Sequence, residues 1–110
     1  MPRYLSFFSY TDEAWRRMVD KPGDRAAAAR SLIESIGGRM ECFYWMTGDH
    51  DGLVIYEVAD VATAGAFAAG VVSSGLVSGL DTHELLDSEQ AAALLAGAKK
   101  IQAAYQTPGA

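Results

Sequence analysis

The sequence predicts an α+β domain in which helices back a four-stranded antiparallel sheet. Three observations predict it. Four short runs are rich in Tyr, Phe, Val and Ile, helical patterns that begin on Thr or Asp separate them, and a polar pentad, Gly48-Asp49-His50-Asp51-Gly52, sits between the middle two. Gly and Asp at those positions are turn formers, so the pentad reads as the tip of a β-hairpin. With 110 residues the chain fits one domain over 1–110, enough for one core and too short for two.

The first run, Arg3 to Tyr10, alternates Tyr4, Ser6, Phe8 and Tyr10 with Leu5, Phe7 and Ser9. Neither set is polar, so a central strand covered on both sides is expected. Thr11 is placed to cap a helix, with Asp12 and Glu13 in a first turn whose dipole favours carboxylates. Ala14, Trp15, Met18 and Val19 recur at helical spacing until Lys21-Pro22-Gly23-Asp24 interrupts the pattern. Asp24 caps a second segment whose stripe is Ala28, Ala29, Leu32, Ile33 and Ile36, and Gly37-Gly38 stops it.

Strands from about Arg39 to Met46 and from about Leu53 to Val58 flank the pentad. On the first of these, alternation sets Met40, Cys42, Tyr44 and Met46 against the helices and leaves Arg39, Glu41, Phe43 and Trp45 on the open face. Arg39 then has Glu41, Glu57 and Glu84 as candidate ion-pair partners across an interface. Asp60 caps a helix with Ala64, Phe67, Ala68, Val71 and Val72 inward, ended by Ser73-Ser74-Gly75. Ser78 to Leu86 returns to strand. Asp87 and Gln90 form a capping box for a last helix, about residues 88–105, with Leu94, Leu95, Ala98, Ile101 and Tyr105 in one stripe. A short tail, Thr107 to Ala110, is expected to fray.

The order is β-α-β-β-α-β plus a helix, the ferredoxin-like arrangement, with its core over about residues 3–86. The sheet face away from the helices carries too much apolar and aromatic area to stay wet. A homodimer with two sheets facing each other, supported by the last helix, is the expected cover.

A net charge of −5 with scattered Lys and Arg excludes nucleic acid as an expected partner, because phosphate binding needs clustered cations. Arg16-Arg17 and Lys99-Lys100 read as solvated helix sides. No apolar run approaches the ~20 residues of a membrane span, and no signal-peptide core follows Met1. A cytoplasmic protein is expected. The single Cys42 has no disulfide partner in the chain and reads as a buried, inert thiol.

Tyr4-Leu5-Ser6-Phe7-Phe8-Ser9-Tyr10-Thr11, the Gly37-Gly38 stop, and Gly48-Asp49-His50-Asp51 leading into Leu53-Val54-Ile55 together resemble the GYD-domain family. These are small proteins of the dimeric α/β barrel type, named for a Gly, Tyr and Asp around this hairpin. The resemblance runs from Tyr4 to about Leu86. Gly48 and Asp51 match, whereas His50 stands where the family pattern has Tyr. The resemblance implies the architecture and no single activity; relatives of the barrel type include cofactor-independent oxygenases, lactone isomerases and haem enzymes.

The chemistry-bearing residues are few. A carboxylate within reach of His50 would orient its imidazole and raise its basicity, so His50 with Asp51 is the candidate catalytic pair. Turn formation by the same Asp and Gly residues explains the pentad equally well. His83, in the last strand, could join His50 and a carboxylate at a metal, but the pair lacks a ligand-spacing signature, and a structural strand histidine is the simpler reading. Tyr4, Phe8, Tyr44, Trp45 and Tyr56 are candidate linings of an apolar pocket, with His50 and Asp51 near its mouth and His83 as a further contact; filling the dimer core is the alternative. There is no Ser-His-Asp set, no phosphate-cradling loop and no haem-attachment motif, and no cofactor or metal is expected. The leading expectation is a binding protein for a small apolar or aromatic molecule. An oxygenase or isomerase using His50 as general base is the alternative, and a structural or regulatory assembly module the third.

Overall fold

The computed structural model describes residues 1–109. Eight elements follow in order: β1 (Arg3–Tyr10), α1 (Asp12–Asp20), α2 (Arg25–Ser35), β2 (Arg39–Trp45), β3 (Gly52–Glu57), α3 (Val61–Val72), β4 (Val77–Leu85) and α4 (Ser88–Ala104). The four strands form one antiparallel sheet in the order β2-β3-β1-β4, which is the ferredoxin-like topology. The first strand is central, as its two apolar faces demand.

Local chemistry fixes the helix ends. Thr11, Asp24, Asp60 and Asp87 each accept a backbone N–H three residues on, and Asp87 with Gln90 completes the capping box. The second helix ends in a Schellman motif: Gly38 N–H donates to the Ile33 carbonyl at 2.9 Å and Gly37 N–H to Glu34 at 3.0 Å, with Gly37 at φ +79°.

The core lies between the sheet and α2 and α3, around Tyr4, Phe8, Ile33, Met40, Val54, Tyr56, Val58 and Phe67. Ser6 is fully buried there, and its hydroxyl is hydrogen-bonded to Tyr56 Oη at 2.9 Å and Thr82 Oγ1 at 2.8 Å. Three hydroxyls thus satisfy one another inside an apolar layer, which removes the desolvation cost of an unpaired one.

The second strand departs from simple alternation. Met40 pairs with Tyr56 and Cys42 with Ile55, so Glu41 is an extra residue in a β-bulge. The bulge shifts the side-chain phase by one. Met40 faces the helices as expected, but beyond it Phe43 packs on the core while Cys42 and Tyr44 share the open face with Ile55 and Leu53. Cys42 is accordingly half-buried rather than buried.

The open face carries Leu5, Phe7, Leu53 and Ile55, all partly exposed, with an ion cluster at one end. Arg39 Nη2 lies 3.0 Å from Glu57 Oε2, and Arg3 Nη2 lies 3.3 Å from Glu41 Oε1 and 3.6 Å from Glu57 Oε1. Glu84 takes no part; it pairs with Tyr4 on the helix side. The hydrogen bond from Arg39, reinforced by the charges of Arg39 and Arg3, holds the Glu57 carboxyl below its ordinary value of 4.5. Its folded pKa is therefore below its unfolded one, so its contribution is present above pH 4.5 and fades as pH falls through the folded value. Urea melts of the parent and Glu57→Gln should differ at pH 7 and converge as pH falls below 4.5 through the folded value.

The last helix stands apart. None of its 17 residues is buried, Leu94, Leu95, Ile101 and Tyr105 of its stripe are exposed, and the molecule is drawn out to 61 × 33 × 23 Å. Trp15 and Val19 of the expected α1 stripe are exposed as well, leaving Ala14 as that helix's buried residue. Of the expected tail, Thr107 to Gly109 are exposed and Ala110 lies outside the described residues.

Candidate functional site

Two regions gather the residues that carry chemistry, one on each face of the sheet. On the open face the β2–β3 hairpin folds back over β1. The His50 ring stacks on Phe7 with centroids 5.0 Å apart and planes 16° from parallel, and Phe7 presents an edge to His83 at 6.2 Å. His83 Nε2 is 3.0 Å from Asp81 Oδ1, with both side chains more than half exposed. Phe7 thus stands between the two imidazoles. Among the described residues no three His, Cys, Asp or Glu side chains are grouped as a metal site would require.

Asp51 is bound elsewhere. Its carboxylate accepts the Tyr10 N–H at 2.8 Å, its own N–H donates to the Phe8 carbonyl at 2.8 Å, and its carbonyl accepts the Met46 N–H at 2.9 Å. The first two stitch the hairpin to the end of β1, where ladder pairing with β3 has stopped at Phe8, and the third closes the hairpin on itself. Asp51→Ala strands the Tyr10 N–H in a half-buried position. The expected cost is about 1–3 kcal/mol, read as a lower midpoint in urea, whereas Asp51→Asn keeps an acceptor and should lose less.

The anchored Tyr10 organises an aromatic cluster on the helix side, with centroid distances of 5.4 Å to Phe8, 5.9 Å to Trp15 and 5.6 Å to Trp45. It also borders a groove of about 710 Å³. The groove exists because α2 packs on β2 and α3 on β4, the two outer strands, which leaves the helices splayed. Buried Ala14, Phe67 and Val77 lie at its base; Met18, Leu32, Ile36, Ala66, Val71 and Leu76 extend the apolar surface. Arg17, Lys21 and Arg25 border it, with Thr63 and Ser74 as further polar groups. A smaller cavity of about 90 Å³ shares Tyr10, Leu32 and Phe67 and reaches the sheet at Phe8, Phe43, Val54 and Leu80.

The residues expected to line a pocket are thus dispersed. Tyr4 and Tyr56 are core residues at 3% and 0% exposure; burial, then the nearby Glu84 and Asp60 carboxylates, push the Tyr4 phenol above its ordinary pKa. Tyr44 is exposed on the open face, where the bulge puts it, and Trp45 is half-exposed against Tyr10 and Trp15. None of the five lines the groove, and Phe8 borders the smaller cavity. His50 and Phe7 lie across the sheet from the groove, so the imidazole is not at its mouth.

Sequence reasoning missed Arg17, Lys21 and Arg25 as site residues. The signal was present in part: Ala14, Arg17, Met18 and Lys21 follow helical spacing, which places Arg17 and Lys21 on the apolar side of α1, whereas Arg25 lies beyond the Lys21-Pro22-Gly23-Asp24 break and opens α2.

A family model described as GYD domain matches residues 4–95. No curated protein and no solved structure matches the chain.

Proposed function

This chain belongs to the GYD domain family, and from that premise we propose that it binds a small, largely apolar molecule in the groove between α1, α2 and α3. The observation that carries the proposal is the groove itself, about 710 Å³ with Phe67 and Val77 at its base and Leu32 and Ile36 on its side. That volume falls in the range of ligand sites, and its makeup, apolar with a few polar groups at the edge, suits a ligand with an apolar body. Leaving Leu32 and Ile36 more than one-third exposed is costly in water, and a bound apolar body would relieve it.

The test is calorimetric titration with 1-decanol, an uncharged apolar probe. Saturable binding at one site per chain is expected, and replacement of Leu32 by Asp should abolish it. No heat and no saturation would remove the proposal.

The proposal includes a homodimer formed through the open faces. Leu5, Phe7, Leu53 and Ile55 on that face and the unpacked stripe of α4 support it, since one chain carries two apolar surfaces that it does not itself cover. The alternative, proton abstraction by His50, has the placement of His50 and His83 around Phe7 in its favour. Against it, the Asp51 carboxylate holds the Tyr10 amide rather than the imidazole.

A further inference from the structure

We infer that the groove selects an anionic amphiphile: a monomeric, single-chain carboxylate whose alkyl body lies on the apolar surface and whose head meets Lys21 and Arg25, with Arg17 beside them. The inference rests on the groove being a ligand site and adds the chemical class. The chain has 14 acidic residues against 9 basic ones, yet every charged residue bordering the groove is basic. The asymmetry is local and sits in one place. Arg17 is on the last turns of α1, Lys21 is its C-cap and Arg25 opens α2, so all three cations border the same end of the groove.

Their pairing leaves charge to spare. Arg17 Nη2 is 2.8 Å from Glu13 Oε1, in an exposed i,i+4 pair. Neither Lys21 nor Arg25 makes an ion pair among the described residues. A carboxylate placed between them would gain charge-assisted hydrogen bonds, and a guanidinium can bind one in bidentate fashion. The apolar neighbours Met18, Leu32 and Ile36 would meet the alkyl body beside that head. A cationic ligand meets like charge, and a neutral one leaves the cations unused.

A soluble monomer is favoured over a bilayer as the source of the carboxylate. The cations border a concave groove rather than a flat basic face, and a chain of net charge −5 is repelled by an anionic membrane.

The experiment compares decanoate with 1-decanol, both below the concentration at which they aggregate, by calorimetry on the full chain. Decanoate should bind about tenfold more tightly, a preference that shrinks with added salt. Replacing Arg17, Lys21 and Arg25 together by Gln should erase the preference, so that the two probes bind alike. Lys at positions 17 and 25 should restore most of it. All three side chains are exposed, so the variants should fold, which circular dichroism verifies. Equal binding of the two probes, unmoved by the Gln variant, would overturn the anion selectivity and leave the apolar groove standing. Binding of neither would overturn the groove reading itself. Sedimentation with phosphatidylglycerol vesicles without binding of monomeric decanoate would overturn the choice of a soluble ligand.

Discussion

Gly52→Ala is expected to destabilise the fold by about 2–3 kcal/mol, the upper range for forcing a methyl group into a packed core. Gly52 is buried at the start of β3, opposite both Phe8 on β1 and Trp45 on β2. A Cβ there would lie 2.6 Å from the Tyr44 carbonyl oxygen and 2.7 Å from Phe8 Cε2. The backbone at Gly52 is not in the left-handed region, so the penalty is steric. Phe8 has little room to yield, because it is stacked on Phe43 at 5.1 Å and meets Tyr10 at 5.4 Å. For a domain of about this size such a loss lowers the melting temperature by roughly 10–20 °C. Gly65→Ala on α3 is the control: a Cβ there meets nothing within 4 Å, and helix propensity favours Ala. Equal melting of Gly52→Ala and the parent would show that the hairpin does not close on Phe8 in this way.

Ile55→Asp should convert the proposed dimer to a monomer, a weakening of at least about 100-fold for a buried, unpaired carboxylate at an interface. Ile55 sits at the centre of the open face, paired with Leu5 on one side and Cys42 on the other. It is partly exposed in the single chain and lies outside the helix-side core, so the substitution reports on assembly once circular dichroism shows that the variant folds. Light scattering behind size exclusion should give about twice 11.7 kDa for the parent and 11.7 kDa for the variant. A parent that elutes at 11.7 kDa would remove the dimer.

What was legible in the sequence was the local chemistry. Thr11, Asp24, Asp60 and Asp87 are caps because a short oxygen acceptor three residues ahead of a free N–H is a property of four consecutive residues. The bounds of β1 and the hairpin position of the pentad follow in the same way from alternation and turn formers. Long-range effects were not legible. One extra residue, Glu41, turns Phe43 inward and Tyr44 outward, and alternation alone cannot report an insertion in the pairing. Nor could the pentad announce that Asp51 serves the Tyr10 amide, 41 residues away. The groove arises from the seating of α2 and α3 on opposite outer strands, a tertiary fact. Its basic border was readable in part: Arg17 and Lys21 share a helical face with Ala14 and Met18, while Arg16 does not.

Amide chemical-shift mapping distinguishes a ligand held in the helix-side groove from one held on the open sheet face. On adding 1-decanol to ¹⁵N-labelled protein, saturable shifts confined to Ala14, Met18, Leu32, Phe67 and Val71 and their neighbours are expected, with His50, Phe7 and His83 unmoved. Shifts centred on Phe7 and His50 would place the site on the open sheet face and contradict the groove reading.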